Sequence, residues 1–510
     1  MKRIPLFGTG VFANSAVISR QRRLNCFFEL RKDGDKQHIV ARGTPGIVSI
    51  LVLPNSPIRG WHVVDNILYV VAGLSLYKIL QDLSWTIVGA FDVNSTGNVG
   101  ISDNGVQLLV VDGFAGYIYT IIAGTYAQTA LDAAGSFGKI TDANFPNGTN
   151  SAAFLDGRLI VAESQTVTAP WPRKFFVSEY YDGTGWTNVQ SLPTYGTKDN
   201  NSDRILAVSA MNGVLTLYGE QTMEFWQNVG SSPLPFARVA GATRNVGLAA
   251  RYSISYIDDI QLFLGQNLYG GYSEVNLLQG FNLTRVSTDD IEHIIGNLPG
   301  HVWRDAVAFG YMLDGHKMYQ ITFPAAQKSL LYDISSDLWS DLQSGVGLTG
   351  RHVANFGITF NAINLVSDAT TGNIYQIDDE ITTDNGAPIK RQLTTRHINM
   401  DGNRFGIDEL YLDMETGGNS AYGRVAGHVQ YGQGSDPEIM LQISKDGGRT
   451  FGYERWKKIG KVGQYKSPRV IWNRLGASQD FVFQFTMTDP IIFVVIGGAV
   501  KIRQQDGQDG

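Results

Sequence analysis

Phe154-Leu155-Asp156-Gly157-Arg158-Leu159-Ile160-Val161 decides the fold of this chain. It reads as an apolar strand, a two-residue turn and a second apolar strand. Asp-Gly and Asn-Gly make tight hairpins because both central residues need positive φ, which Gly, Asn and Asp tolerate best. The phrase recurs at Val64-Asp65-Asn66-Ile67, Ser102-Asp103-Asn104-Gly105-Val106 (running into Leu108-Leu109-Val110-Val111), Ala210-Met211-Asn212-Gly213-Val214, Tyr256-Ile257-Asp258-Asp259-Ile260, Met312-Leu313-Asp314-Gly315-His316 and, degenerately, Phe360-Asn361-Ala362-Ile363. Successive turns lie roughly 40 to 56 residues apart, about the length of one propeller blade. A second phrase, in which Gly or a polar pair precedes an aromatic strand, often closes the period, as at Gly116-Tyr117-Ile118-Tyr119, Gln221-Thr222-Met223-Glu224-Phe225-Trp226 and Gly372-Asn373-Ile374-Tyr375. Two phrases of two strands supply the four strands of a blade. Seven turns imply seven blades, or six if the degenerate last one does not count.

Composition agrees. The chain has 510 residues, 43% hydrophobic and 17% charged, enough for at least two domains with cores of their own. Its 58 glycines and 11% aromatics suit short strands joined by tight turns, so all-β is the expected class. A net charge of −6 argues against a protein that grips nucleic acid, since phosphate binding needs a basic surface, but is compatible with DNA that slides past. The single cysteine, Cys26, leaves no disulfide framework and no cysteine-rich zinc site; it reads as a small buried hydrophobe in a chain folding in a reducing cytoplasm. The start, Met1-Lys2-Arg3 with Ile4 to Ile18, is not read as an export signal, because Pro5, Gly8, Gly10 and Asn14 interrupt it and Arg20, Arg22 and Arg23 follow. The longest apolar run, Ile491 to Val500, is half the ~20 residues a membrane-spanning helix needs. It reads as a buried strand bent at Gly497-Gly498. The sequons at Asn147 and Asn282 read as chance matches in turn-rich sequence.

Three regions are expected. Residues 1–45 lack the repeat and form an extended arm ending at Arg42-Gly43-Thr44-Pro45-Gly46, which either donates a closing strand to the propeller or docks on a neighbour. Residues 46–385 form the propeller, with one short helix allowed at Thr288-Asp289-Asp290-Ile291-Glu292, where Thr288 stands at the cap position. After Asp384-Asn385-Gly386-Ala387-Pro388 the strands lengthen (391–398, 406–415, 438–444, 481–488, 491–500), and residues 386–510 suit a β-sandwich with a loop at Gly417-Gly418-Asn419-Ser420.

Motifs that carry chemistry are missing. There is no phosphate-cradling Gly-x-x-x-x-Gly-Lys-Ser/Thr loop and no His-Glu-x-x-His, so nucleotide and zinc-protease readings have no foothold. His301 and His316 lie in or beside turns without an evident partner to tune them. A propeller glycosidase would present paired carboxylates, and Asp103, Asp156, Asp258, Asp259 and Asp314 are the candidates; all sit inside hairpin turns, where Asp satisfies local N–H groups. Asp401-Gly402-Asn403 and Asp446-Gly447-Gly448-Arg449 lack the closing glutamate of a calcium loop. Glu454-Arg455-Trp456-Lys457-Lys458-Ile459-Gly460-Lys461 mixes bases with an aromatic, a nucleic-acid patch on one reading and a solvated strand edge on the preferred one. No catalytic, cofactor or metal residue is assigned, and no enzyme is expected.

Two segments carry a resemblance. Tyr218-Gly219-Glu220-Gln221-Thr222-Met223-Glu224-Phe225-Trp226-Gln227-Asn228-Val229-Gly230, with Pro235 to Arg238 and Asn245 to Leu248, is similar to the centre of the packaged-DNA stabilisation proteins of short-tailed bacteriophages. Ser444 to Phe451, Gly460 to Tyr465 and Arg469 to Gly476 resemble that family's carboxy-terminal domain, and Leu24 to Glu29 with Thr44-Pro45-Gly46 fit too. The resemblance implies a tail hub or nozzle: a propeller with a sandwich, forming a homohexameric ring below the portal and its adaptor in the virion tail, holding packaged DNA and conducting it at ejection. Tail fibres or spikes would attach around it, and assembly would occur in the host cytoplasm. Six copies would carry about −36, so an acidic lumen would let DNA pass without sticking. The alternatives are a carbohydrate-binding or glycan-hydrolysing propeller, which would show an aromatic pocket with two convergent acids, and a monomeric scaffold propeller for host partners.

Overall fold

The computed structural model describes residues 3–7, 21–33, 36–146, 148–166, 169–187, 192–267, 273–344, 350–415, 436–461 and 469–504. Gly8, Gly10, Asn14 and Arg20, the sequon at Asn147, the loop at Gly417 to Ser420 and Val462 to Tyr465 lie outside them.

Seven antiparallel blades follow one another. The first is Ile58–Val64, Ile67–Ala72, Ser75–Ile79 and Trp85–Ala90, and the pattern repeats from Gly100–Asp103 to Phe137–Lys139, Ala152–Leu155 to Tyr195–Thr197, and Ile205–Met211 to Phe236–Arg238. In the fifth, two short strands, Val246–Leu248 and Ser255–Ile257, share one partner, Ile260–Asn267. The sixth runs from Val307–Leu313 to Leu338–Leu342. The seventh takes Ala354–Phe360, Ile363–Asp368 and Asn373–Asp378 from one end of the propeller segment and its fourth strand, Gly46–Val52, from the other. That strand closes the circle by joining the start of the repeat to its end.

The corners explain why the chain folds this way. Positive φ occurs at both central residues of Asp65-Asn66, Asp156-Gly157, Asn212-Gly213, Asp314-Gly315 and Asn361-Ala362, so the degenerate last phrase makes the same turn as the others. The second hairpin differs from its expected two-residue form. Asp103 pairs with Leu108 across a longer loop, held by Asn104 Oδ1, which accepts the N–H groups of Val106 (3.1 Å) and Gln107 (2.7 Å). Blades are fitted to each other by glycine. A Cβ on Gly247 would overlap the Glu220 backbone, one on Gly310 would overlap Ile257, and one on Gly357 would overlap Phe309. Between blades lie apolar clusters such as Leu215, Leu217 and Phe236 with Ala153, Ile160 and Phe175.

One short helix, Asp289–Gly296, stands where it was expected, but Thr288 makes no side-chain cap bond. Glu292 instead accepts from Arg285 Nε and from Ser287 Oγ at 2.6 Å.

The second domain has two sheets. One orders Cys26–Asp33, Lys36–Gly43, Val494–Gln504, Phe405–Met414 and Arg469–Ser478; the other orders Arg22–Leu24, Arg391–Thr394, Asp480–Met487, Glu438–Ser444 and Arg455–Lys458. Their shared core sets Phe405, Leu410 and Leu412 against Phe481, Phe483 and Phe485, and it includes Leu6, Cys26 and Phe28 from the first 45 residues. The described strands of that segment therefore pair in the sandwich sheets, and one of them, Arg22–Leu24, pairs with the sixth blade as well. The apolar run near the end enters the strand Val494–Gln504, which bulges at Val495–Gly497 where its register against Asp413 and Met414 slips by one residue, beside the expected bend; a Cβ on Gly498 would crowd Leu6 and the Tyr411 carbonyl, so glycine there also admits close packing.

Candidate functional site

A densely bonded polar region joins the sixth blade to the sandwich. Strand Arg22–Leu24 lies between them, parallel to Leu338–Leu342 on one side and antiparallel to Arg391–Thr394 on the other, so one sheet runs from the blade into the second domain. Asn25 locks the crossing. It adopts a left-handed φ of 51°, donates Nδ2 to the carbonyls of Gln343 and Lys390 (2.9 Å each) and accepts the Gln343 N–H on Oδ1. Asp341, at the end of the blade, receives Arg22 Nε (2.6 Å) and Lys328 Nζ (2.5 Å). Burial opposes ionisation of Asp341, and those two cations outweigh it and hold its pKa below the usual carboxylate range. Arg23 is buried, which lowers its pKa to about 10, and its guanidinium lies 4.9 Å from the centre of the Phe28 ring.

A second set of contacts ties the arm to the turn of the same blade. Arg42 donates to Asp314 (3.0 Å) and approaches Asp379 (3.7 Å). Burial, with Asp378 and Asp314 close by, pushes Asp379 up to about 7. Phe27 packs edge-on against His316 (5.2 Å), whose Nδ1 bonds Asp333 at 2.8 Å. The cavity among Phe27, Arg42, Thr44, Asp379 and Arg391 is about 10 Å³, room for one water and not for a sugar.

The turn aspartates are accounted for one by one. Asp103 bonds His62 Nε2 across the first two blades (2.6 Å). Burial opposes ionisation of Asp103, and the bonds from His62 and the Gly105 N–H outweigh it, so its pKa falls. Asp258 pairs with Lys317 across the fifth and sixth blades (2.6 Å), Asp259 accepts Gln279 Nε2 (3.1 Å), and Asp156 occupies the left-handed corner beneath Tyr180. Asp314 is the one brought beside another acid, Asp379, and Arg42 sits on both. Asp446 spends its carboxylate on its own loop, accepting Ser444 Oγ (2.6 Å), Arg449 N–H (3.1 Å) and Thr450 N–H (3.0 Å), which depress its pKa. Asp401 and Gly402 form a left-handed turn closed by Asn403 N–H on Met400 O (2.8 Å). Among the described residues no group of three or more His, Cys, Asp or Glu side chains is placed to hold a metal, and no helix is long and apolar enough to cross a membrane. Cys26 is buried, and burial pushes its thiol up to about 12, which disfavours the thiolate.

Sequence reasoning missed the joint. Arg22, Arg23, Asn25, Arg42 and Arg391 are spread over the chain, and the signal available was the basic cluster in a segment without repeats. The charge is also unevenly divided. Residues 46–385 hold 16 Lys and Arg against 31 Asp and Glu, a net of −15, while the two flanking stretches together hold 25 against 16, a net of +9.

Comparison with known proteins names a propeller followed by a sandwich. The family description "Bacteriophage P22 Gp10, beta-propeller" matches residues 5–382. A second, "Bacteriophage P22 Gp10, beta-sandwich", matches residues 390–503. The chain belongs to the bacteriophage P22 Gp10 family. It is thus a structural tail protein of the short-tailed phage type, all-β, with a propeller followed by a sandwich. No curated protein matches the sequence. Solved structures similar to it include virginiamycin B lyase from Staphylococcus aureus (11% identity, 65% of this chain and 98% of that one, TM-score 0.41). The Pan2 WD40 domain of Neurospora crassa is similar at 9% identity, over 66% and 94% of the two chains, with a TM-score of 0.37. At such scores these likenesses carry no argument about function.

Proposed function

We propose that this P22 Gp10 family member is a tail hub, or nozzle, subunit. Copies close into a homohexameric ring below the portal and adaptor, fibres or spikes attach around the ring, and packaged DNA is retained behind it and passes through at ejection. The observation that carries the reading is the tiling of the chain, in order, by the family's propeller and sandwich, over residues 5–382 and 390–503. The charge division supports it: an acidic propeller repels phosphate, and its contrast with basic flanks gives a repeated subunit two unlike faces, which a closing head-to-tail ring needs. DNA is passed, not read.

The domain division belongs to the same proposal: a propeller over 46–385, a sandwich over 386–510, and the first 45 residues as the arm whose strands lie against both. No residue is assigned a catalytic, cofactor or metal role, and the engagement of Asp103, Asp258, Asp259 and Asp314 with neighbouring side chains supports that assignment. Assembly in the host cytoplasm is consistent with one buried cysteine. Negative-stain imaging of the purified chain, alone and mixed with phage particles, tests the proposal: closed rings and density at the tail vertex are expected, and a chain that stays monomeric and never joins particles would refute it.

A further inference from the structure

The outer edges of the seven blades are not alike. Those of the second, third and fourth blades are three-residue strands, and that of the fifth is the polar Asn282–Arg285. The sixth is covered by Arg22–Leu24 and the seventh is met by Thr383–Asp384. The first blade ends in Trp85–Ala90, six residues without a charge, and no strand among the described residues pairs with its outer side. Long, uncharged, unpaired edges invite association, and proteins normally protect them with charge, brevity or cover. Here Trp85 is 38% and Ile87 52% exposed, Leu80 and Val93 extend the apolar stripe, and Asp82 and Asp92 stand near its two ends.

The sandwich carries a patch of the opposite kind. Tyr453 is 74% and Trp456 51% exposed, the Arg455 guanidinium lies 4.9 Å from the Tyr453 ring centre, and Lys457 and Lys458 follow on the outermost strand of its sheet; the acids within reach are Glu454, which accepts Trp456 Nε1 at 3.2 Å, and Asp436, which takes Lys458 at 2.8 Å, so Arg455 and Lys457 carry the patch's excess positive charge. Exposed aromatics flanked by bases, on a domain whose region is net basic, complement an apolar stripe flanked by acids on a net acidic propeller. Aromatic and apolar surface supplies the desolvated centre of an interface, and opposite charges at the rim set its register.

We infer that the outer edge of the first blade is the docking face for a second copy of this chain, which seats its Tyr453 to Lys458 ridge along Trp85–Ala90. The contact joins two different faces, so it propagates from copy to copy and closes when the rotation allows. This inference rests on the ring reading above. It also accounts for the bases of Arg455–Lys458: they repel a second ridge of the same kind and accept an edge flanked by acids.

The test uses two populations of the full chain with tags of different size, one Thr86→Cys and the other Lys457→Cys; Thr86 and Lys457 are exposed, and the buried Cys26 is left in place. Mild oxidation is followed by mass analysis, and an Ile87→Lys chain is examined alongside by light scattering and thermal melting. Mixed disulfides in excess of like-with-like, and at least a tenfold loss of ring by Ile87→Lys with an unshifted melt, are expected. Predominant like-with-like linkage, undiminished rings from Ile87→Lys, or linkage only to a different tail protein in particles would overturn the inference. Rings that form without the mixed disulfide remove this contact and leave the ring reading standing; no rings and no disulfide remove both.

Discussion

Arg23 donates both Nε (3.0 Å) and Nη2 (2.8 Å) to the carbonyl of Trp339, a residue 316 positions away, and by doing so fastens the start of the chain to the last strand of the sixth blade. The guanidinium is buried and the acceptor lies in the blade's outer strand, so this pair couples the two domains. Arg23→Met keeps most of the packing volume and removes both bonds. It is expected to cost about 1–3 kcal/mol and to split urea unfolding into two transitions. A single transition at the wild-type midpoint would contradict the coupling.

A second latch joins the third and fourth blades. Lys198, wholly buried, bonds Asp203 and donates to Thr222 Oγ1 at 2.7 Å, while Asp203 Oδ2 accepts the N–H groups of Gln221 (2.8 Å) and Thr222 (3.0 Å). Lys198→Met leaves a buried carboxylate without its cation, for which about 3–5 kcal/mol is the usual cost. The double variant Lys198→Met with Asp203→Asn recovers part of it, as chemical denaturation will show.

Close approach and corner geometry are separable by alanine. Gly247→Ala drives a methyl into the Glu220 backbone and is expected to cost about 1–3 kcal/mol or more through overpacking. Gly213→Ala meets open space at φ 76°, so its cost of about 1 kcal/mol comes from backbone strain alone. Melting temperatures should rank them in that order.

The joint responds to pH in a defined direction. His316 is held above its usual range by its bond to Asp333, so its contribution is complete below the unfolded pKa near 6.5 and is lost as pH rises through the folded value. Asp379, pushed up to about 7, stays protonated in the folded chain where the unfolded chain is ionised; stability therefore falls as pH climbs from about 4 through 7. Asp379→Asn should gain stability relative to the parent between pH 5 and 8. His352 acts oppositely: burial lowers it to about 4, its Nδ1 accepts the Ala354 N–H at 3.3 Å, and stability is lost as pH falls below 6.5. His352→Gln should flatten that acid-side loss, measured as melting temperature against pH.

The propeller was legible because its corners are local. Asp156-Gly157 or Asn212-Gly213 declares a left-handed turn whatever surrounds it, and even Asn361-Ala362 made the turn its position in the repeat required. The helix at Asp289 was legible for the same reason, though its cap was not, since Glu292 reached for Arg285 and Ser287 instead. The joint was not legible: Arg22–Leu24 is three residues long and takes its partners from positions more than 300 residues on. The irregularity expected at Gly497-Gly498 falls beside it, as a bulge at Val495–Gly497, whereas the second use of the pair, a seat for Leu6, depends on a residue almost 500 positions away and was not legible.

The most direct measurement of the central claim is negative-stain electron microscopy of the purified full-length chain incubated with tail-deficient particles. Closed rings of subunits seated at the portal vertex, with DNA retained in the heads, are the predicted result. Monomers that leave the vertex bare and the heads emptying as before would contradict the account.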